Sequence, residues 1–324
     1  MTEYCNAIVA QAPGGPEVLT LAQVPVPSPG PGELLVKIAA VGVNFIDTYQ
    51  RDGTYSVPFP LTPGSEAAGT VVGLGEGVKT AALGDRVATA EGRACYAEYA
   101  LVPADAALPV PASVPLDVAA ALPLQGMTAH YLMNSSYRVA PGQTVLVHAG
   151  AGGVGLLLTQ LLKERKARVI TTVSSDEKEE LSRVAGADEV LRYQDFSAAV
   201  REYTDGAGVD VVFDGVGRDT FDGSLASLRT RGTLVLFGGA SGQVPPFELQ
   251  RLNAGGSLTV IRPKLGDYLL NAQERLWRSS EIFASVAAGT LTARIGARFP
   301  LAEAGPAHAA LQGRGTTGKV ILLP

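Results

Sequence analysis

The sequence predicts an α/β protein in which a partly open β-barrel domain is combined with a doubly wound parallel-sheet domain. Three observations carry that expectation. The chain has 324 residues, whereas one domain usually takes about 100–200. Residues 1–125 read as short strands divided by turn signals, and after Pro123 the pattern switches to alternating apolar strands and amphipathic helices. The 38 glycines and 21 prolines favour tight turns and close backbone approaches over long helical bundles.

The barrel strands are expected in EVLTLAQVPVP, PGPGELLVKIAAVGVN, GTVVGLGEGV, LGDRVATAEG and ACYAEYALVP, with helix mainly around 45–51 and 117–121. The parallel sheet follows, with strands at 143–148, 168–173, 189–191, 209–214, 232–237 and 257–260. Helices are expected between them at 154–165, 176–185, 196–204 and 220–227, and before the first at 128–135. A helix over 266–288 and strands at 297–300 and 319–323, with a helix at 302–311 between these strands, close the chain. The final KVILLP lies outside the alternating block and is more easily housed in the first domain. The expected division is therefore 1–125 with 264–324, and 126–263.

Composition narrows the function. Lys and Arg number 26 against 31 Asp and Glu, a net charge of -5, which lacks the basic excess that neutralises a phosphate backbone and argues against nucleic acid. Cys5 and Cys95 form no CxxC pair, so neither a disulfide framework nor a cysteine zinc cluster is expected, and a reducing cytoplasm fits. MTEYCNAIVAQAPGG has neither the basic start nor the apolar core of a secretory signal. The charge-free stretch Val139–Leu162 is long enough to cross a bilayer, but its glycines divide it into turns, a strand and a helix start.

The strongest motif is TVLVHAGAGGVGLLLTQLL, a strand running into Gly150-Ala-Gly152-Gly153-Val154-Gly155 and then an apolar helix. Gly150 permits the tight turn, Gly152 lets backbone approach a pyrophosphate, and Gly155 lets the helix pack on the strand. About 20 residues on, an acid would hold a ribose 2′-hydroxyl. Here Ser174 and Ser175 stand at that place with Lys178 in reach, which favours a 2′-phosphate and hence NADPH. Asp176 and Glu177 follow directly and weigh towards NADH, and the competing reading of Lys178 is a solvated helix face paired with glutamates.

GVNFIDTYQRDGTY, PGSEAAGTVVGLGEGV, GDRV, AGAGGVG, FDGVGRDT, IRP and the closing GKVILLP run nearly the length of the chain. On these segments the sequence resembles the zinc-independent quinone oxidoreductases of the medium-chain dehydrogenase/reductase superfamily, the zeta-crystallin-like group. The resemblance implies a GroES-like barrel completed by the C-terminal tail, a Rossmann domain between, and hydride transfer from NADPH to a quinone in the interdomain cleft. It implies cofactor contacts at Asn44, Phe45, Tyr49, Tyr131, Gly152, Gly153 and Val154, then Ser174, Ser175, Lys178 and Tyr193, then Phe237, Ser241, Arg262 and Arg314. Gly215 and Gly239 depart from the serine and asparagine common in bacterial members.

Asn44 and Ser65 stand where zinc-dependent relatives would carry Cys and His, and only Glu66 of that triad remains, so no metal is expected and Glu66 reads as a structural acid. His130, His148 and His308 are scattered and read as packed or surface imidazoles. A quinone is already electrophilic, so the protein need only place it in a dry cleft and offer donors to the developing oxyanion. Asn44, Tyr49 and Tyr55 are the expected catalytic donors, with Arg262 a further source of positive potential, although Tyr55 could be a mere exposed loop aromatic. Reduction of an activated alkene, an enone or enoyl thioester, is the alternative on the same motifs, and a non-catalytic nucleotide-binding protein is a third reading. The edge strand GSLTVI predicts a homodimer by sheet pairing, as the resemblance also implies.

Overall fold

Apolar residues pair Tyr4–Val9 (β1) with Thr20–Pro25 (β2) as an antiparallel ribbon in which Ala7 faces Ala22. β1 lies in a stretch where the sequence pattern predicts no strand. In this computed structural model residues 3–313 and 315–324 are described, and the chain divides into two units, Met1–Gln125 with Leu270–Pro324, and Gly126–Leu269.

In the first unit the longest strand, Glu33–Val43 (β3), runs into Phe45–Arg51 (α1), followed by Ala67–Leu74 (β4), Arg86–Thr89 (β5), Tyr99–Pro103 (β6), Leu108–Pro109 (β7) and the short Leu116–Ala119 (α2). β3 pairs β4 along one side and changes partner on the other, taking β6 from Glu33 to Lys37. A strand that switches neighbours in this way turns a flat sheet towards a barrel. Ile8, Leu34, Val36, Val41, Tyr96, Val102 and Leu322 form its core.

The second unit begins within Pro123–Tyr131 (α3), which starts earlier than the sequence pattern suggests because proline suits a first helical position. Then come Thr144–Val147 (β8), Gly153–Glu164 (α4), Arg168–Val173 (β9), Asp176–Val184 (α5), Glu189–Arg192 (β10) and Phe196–Tyr203 (α6). Val209–Asp214 (β11), Phe221–Ser227 (α7), Leu228–Leu236 (β12), Gln250–Ala254 (α8) and Thr259–Ile261 (β13) complete it. The sheet order is β10-β9-β8-β11-β12-β13, and every pairing is parallel. Val145, Leu146, Val147, Val211, Val212 and Phe213 are all fully buried, which is why these strands read as continuous apolar runs and not as alternation. Chain order reverses between β8 and β11, and the switch point lies at their carboxyl ends.

The return to the first unit falls at Leu270, later than the break expected after Pro263, because Tyr268 stacks on Tyr131 with centroids 4.4 Å apart. The long helix expected from residue 266 begins only at Ala272 (Ala272–Ala287, α9), where Asn271 caps it by accepting the Glu274 N–H at 2.9 Å. Ile295–Pro300 (β14), Ala304–Gln312 (α10) and Lys319–Leu323 (β15) end the chain, and β15 lies between β14, parallel, and β3, antiparallel. Among the described residues no helix is long and apolar enough to cross a membrane. The charge-free stretch 139–162 is instead spread over β8, the glycine turn and most of α4.

Candidate functional site

At the end of β8 the chain turns through Ala149, at a φ of 54°, into the glycine loop. Gly150 N–H donates to Thr172 O at 3.0 Å, and a Cβ on Gly150 would come within 2.6 Å of the Thr171 side chain. At Gly155 a Cβ would collide with the Ala149 carbonyl, so the helix can lie this close to the strand only with glycine there. Gly152 caps α4 in extended backbone, and the first bond of the helix runs from Leu156 N–H to Gly152 O. The amides of Gly153 and Val154 are therefore among the orphan donors of the first turn. This cradle fits a dinucleotide pyrophosphate.

Beside it, Ser174 and Ser175 follow β9. Ser175 caps α5 by accepting the Lys178 N–H, and the Lys178 ammonium reaches Ser174 Oγ at 3.3 Å. The Asp176 carboxylate is held by Arg192 at 2.5 Å. The Tyr193 hydroxyl accepts the Ala149 N–H at 3.1 Å and so ties the end of β10 to the glycine loop. The structure thus brings Gly152, Gly153, Val154, Ser174, Ser175, Lys178 and Tyr193 to one end of the sheet, at the tips of β8, β9 and β10.

The tips of β11 and β12 form the other half of that end. Asp214, fully buried, accepts the N–H groups of Val216 and Gly217 at 2.8 and 3.0 Å and the hydroxyls of Thr220 and Ser224 at 2.7 and 2.9 Å. Since the Ser224 hydroxyl donates to Asp214, it receives from His148 Nε2 at 3.0 Å, which leaves His148 Nδ1 to accept the Thr172 hydroxyl at 2.7 Å. Burial holds the His148 pKa below its ordinary value, keeping the ring neutral for that chain. Phe237 follows β12, its ring so close to Gly215 that a Cβ there would meet it at 2.8 Å; this accounts for glycine at 215. Ser241 donates to Val216 O at 2.8 Å and accepts Asp219 N–H at 3.0 Å, tying the two loops. Arg262 lies after β13 and reaches Leu236 O at 3.2 Å, and Tyr131 is buried in its stack with Tyr268.

In the first unit, Asn44 follows β3 in extended backbone and caps α1, where Asp47 accepts its N–H at 2.8 Å. The Asn44 amide nitrogen donates to Gly42 O at 3.1 Å and Glu66 Oε2 at 2.7 Å, and Asn44 Oδ1 accepts from Lys319 Nζ at 2.7 Å. Lys319 also pairs with Glu66 Oε2, and Glu66 Oε1 accepts Leu124 N–H at 2.7 Å. All three side chains are buried, with Lys319 at 1% exposure and Glu66 at 0%. Both amide hydrogens of Asn44 are thereby spent inside the protein, so its side chain orients α1 and has no hydrogen left to donate. Phe45, Tyr49 and Tyr55 sit together on α1 and the loop after it: Tyr49 and Tyr55 meet edge to face at 5.4 Å, and Tyr55 N–H donates to Tyr49 O at 2.8 Å. Tyr49 and Tyr55 each carry a phenolic hydroxyl, a group that can donate a hydrogen bond. Arg314 lies outside the described residues.

Sequence reasoning missed Lys319 and the polar chain beneath α1. Asp47 Oδ2 accepts the Tyr96 hydroxyl at 3.0 Å, Tyr96 accepts from His308 Nε2 at 2.9 Å, and His308 Nδ1 faces Arg51 Nη1 at 3.4 Å. Burial is the main cause that raises the Asp47 carboxyl to about 7 and lowers His308 to about 3. The partners of Asp47 and His308 are 49 and 212 residues away in sequence, with no local pattern to announce them. Among the described residues no three of His, Cys, Asp and Glu converge as a metal site.

A β-rich unit closed by the last strand, carried with a parallel nucleotide-binding sheet, defines the medium-chain dehydrogenase/reductase class. The family profile described as alcohol dehydrogenase GroES-like domain matches residues 30–112, and that described as zinc-binding dehydrogenase matches 153–273. The chain is 42% identical to a quinone oxidoreductase of Pseudomonas aeruginosa, covering 96% of this chain and 97% of that one. It is 41% identical to a 2-haloacrylate reductase of Burkholderia, with 98% of each covered. Among solved structures, a mycobacterial protein complexed with NADPH superposes with a TM-score of 0.96 at 50% identity over 98% of this chain and 100% of that one. The Escherichia coli quinone oxidoreductase complexed with NADPH gives 0.95 at 39%, over 98% and 100%. The chain belongs to the quinone oxidoreductase family of the medium-chain dehydrogenase/reductase superfamily.

Two predictions concern these buried groups. Glu66→Gln strands the Lys319 ammonium without an anion and is expected to cost about 3–5 kcal/mol by urea denaturation. Glu66→Leu with Lys319→Met removes both charges and should recover at least half of that loss. For His308, the folded pKa of about 3 lies below the unfolded value of about 6.5. Its neutral form therefore favours the fold above that unfolded value, and stability is lost as pH falls towards about 3. Between pH 7 and about 4.5, wild type should lose about 2–3 kcal/mol more than His308→Gln in paired urea titrations.

Proposed function

We propose that the protein is an NADPH-dependent quinone reductase that works without a metal. The observation that carries the cofactor choice is the end of β9, where two serine hydroxyls and the Lys178 ammonium gather while the carboxylate of Asp176 is bound to Arg192. A 2′-phosphate meets donors there, whereas the Asp176 carboxylate that could hold a bare 2′-hydroxyl is engaged by Arg192. Two similar solved proteins hold NADPH, in agreement with this.

NADPH, when bound, supplies the hydride. The amides of Gly153 and Val154 bind its pyrophosphate, and Ser174, Ser175, Lys178 and Tyr193 surround its 2′-phosphate. Asp214, His148 and Ser241 hold the loops in place by their bonds to the Val216 N–H, the Ser224 hydroxyl and the Val216 carbonyl. Tyr49 and Tyr55 offer hydroxyls to the oxygen that gains charge as a quinone is reduced. Asn44 and Glu66 are engaged with Lys319, so the positions that resemble zinc ligands are already charge-balanced by an ammonium. Reduction of activated alkenes is the second reading, favoured by the likeness to the 2-haloacrylate reductase. We also propose a cytoplasmic homodimer. The short outer strand β13 has one edge unpaired among the described residues, and both cysteines are free and buried.

NADPH oxidation should be fastest with naphthoquinones and phenanthrenequinone, slower with enones, 2-haloacrylate and enoyl thioesters, and unchanged after chelator treatment. Faster turnover of the alkenes would replace the quinone reading, loss of activity with chelator would end the metal-free one, and no turnover with any acceptor would point to nucleotide binding alone. Light scattering at micromolar concentration should give twice the chain mass, and a single-chain mass would refute the dimer.

A further inference from the structure

We infer that Arg192 is a second cation for the 2′-phosphate and that Asp176 is its built-in competitor, so that this pair sets how strongly the protein prefers NADPH to NADH. The inference rests on the proposed NADPH reading.

The backbone puts Arg192 at the right place. It ends β10 in register with Val173 of the neighbouring strand, the residue directly before Ser174, and adjacent strands lie only about 4.8 Å apart. From there its Nη2 crosses to the first turn of α5, reaching Asp176 Oδ1 at 2.5 Å and Glu179 Oε2 at 2.8 Å. Lys178 reaches Ser174 from the same turn. Two cations thus meet the segment Ser174–Asp176, where the 2′-phosphate would lie.

The guanidinium has capacity to spare. It carries five N–H donors in a planar fork suited to phosphate, yet both carboxylates are met through Nη2, and among the described residues no bond is made by Nε or Nη1. Its two acids differ in how firmly they are held. Glu179 also binds Arg183 at 2.8 Å, and that contact, ahead of Arg192, holds its carboxyl below the ordinary range. The Asp176 side chain is fully exposed and its pair is a surface ion pair of the weakly held kind. A phosphate dianion brings more charge and three acceptor oxygens, so it displaces Asp176 from the fork while Glu179 keeps the guanidinium aimed. Asp176 opposes that exchange and repels the phosphate, whereas a 2′-hydroxyl leaves the Asp176–Arg192 pair intact.

Fluorescence titration of both cofactors against wild type, Arg192→Gln, Asp176→Asn and Lys178→Ala tests this. Arg192→Gln should raise the NADPH Kd about tenfold and Lys178→Ala by a similar factor, as removal of one charge-assisted hydrogen bond to the phosphate would. Each should change the NADH Kd less than about twofold, since NADH presents no phosphate to either cation. Asp176→Asn should lower the NADPH Kd about threefold and leave NADH unchanged, as removal of a competing surface charge would. The unchanged NADH constant shows that the variants are folded. Wild type preferring NADPH with Arg192→Gln leaving that preference intact, or weakening both cofactors alike, overturns the inference and spares the NADPH reading. Weaker NADPH binding by Asp176→Asn would make Asp176 a support for Arg192 and overturn the competitor role. Wild type binding NADH as tightly as NADPH defeats the reading and the inference together.

Discussion

A lysine ammonium buried at 1% exposure beside a fully buried glutamate is the constraint on which the first unit depends. Neither charge survives there alone, because removing an ion from water costs several kcal/mol unless it is paired and its remaining valences are bonded. Glu66 meets that demand with three donors from separate parts of the chain: Lys319 of β15, Asn44 at the start of α1, and the Leu124 N–H. Each fixes an element. The Lys319 bond seats β15 against β3, the Asn44 bond fixes the start of α1 and so the place of Phe45 and Tyr49, and the Leu124 bond holds the chain as it leaves the unit.

The second unit solves its problem with apolar burial first and a network of fully buried polar groups at one end. Inner strands buried on both faces form the middle of the sheet, and a buried polar network sits at their carboxyl tips, where Asp214 satisfies two amides and two hydroxyls. Through Ser224 and His148 that carboxylate is linked to Thr172, whose carbonyl receives the Gly150 amide. The glycine loop is thus held by a relay of side chains from three strands and a helix, in addition to its own backbone.

Features written in contiguous residues are legible in the sequence. The glycine turn, the strand and helix alternation, the Phe45–Arg51 helix and the return of KVILLP to the first unit all follow from local period and turn chemistry. Ser174, Ser175 and Lys178 can be found because the motif fixes their offset from the loop. What escapes is set by pairing over long distance. Lys319 is 253 residues from Glu66 and looks in the sequence like an ordinary charge at the start of a strand, and Arg192 gains meaning only when β10 is laid beside β9. Asn44 reads as a donor from its residue type, whereas its bonds to Gly42 and Glu66 already use its hydrogens. Boundaries move where a single cap or ring contact, Asn271 or the Tyr131–Tyr268 stack, outweighs the average pattern.

The place of β15 between β14 and β3 has a consequence for how the protein is made. The second unit is one continuous stretch, Gly126–Leu269, and has all its strands once that stretch is synthesised. The first unit must wait for β15, which leaves the ribosome after the whole of the second unit, and until then β3 lacks a neighbour and Glu66 lacks its cation. At about 5–20 residues per second, the older part of the chain spends several seconds as an unfinished sheet while the younger part is already folded. In a nascent chain of this design the segment made first is among the last to become native, and it is there, on the open side of β3, that a chaperone would find its substrate.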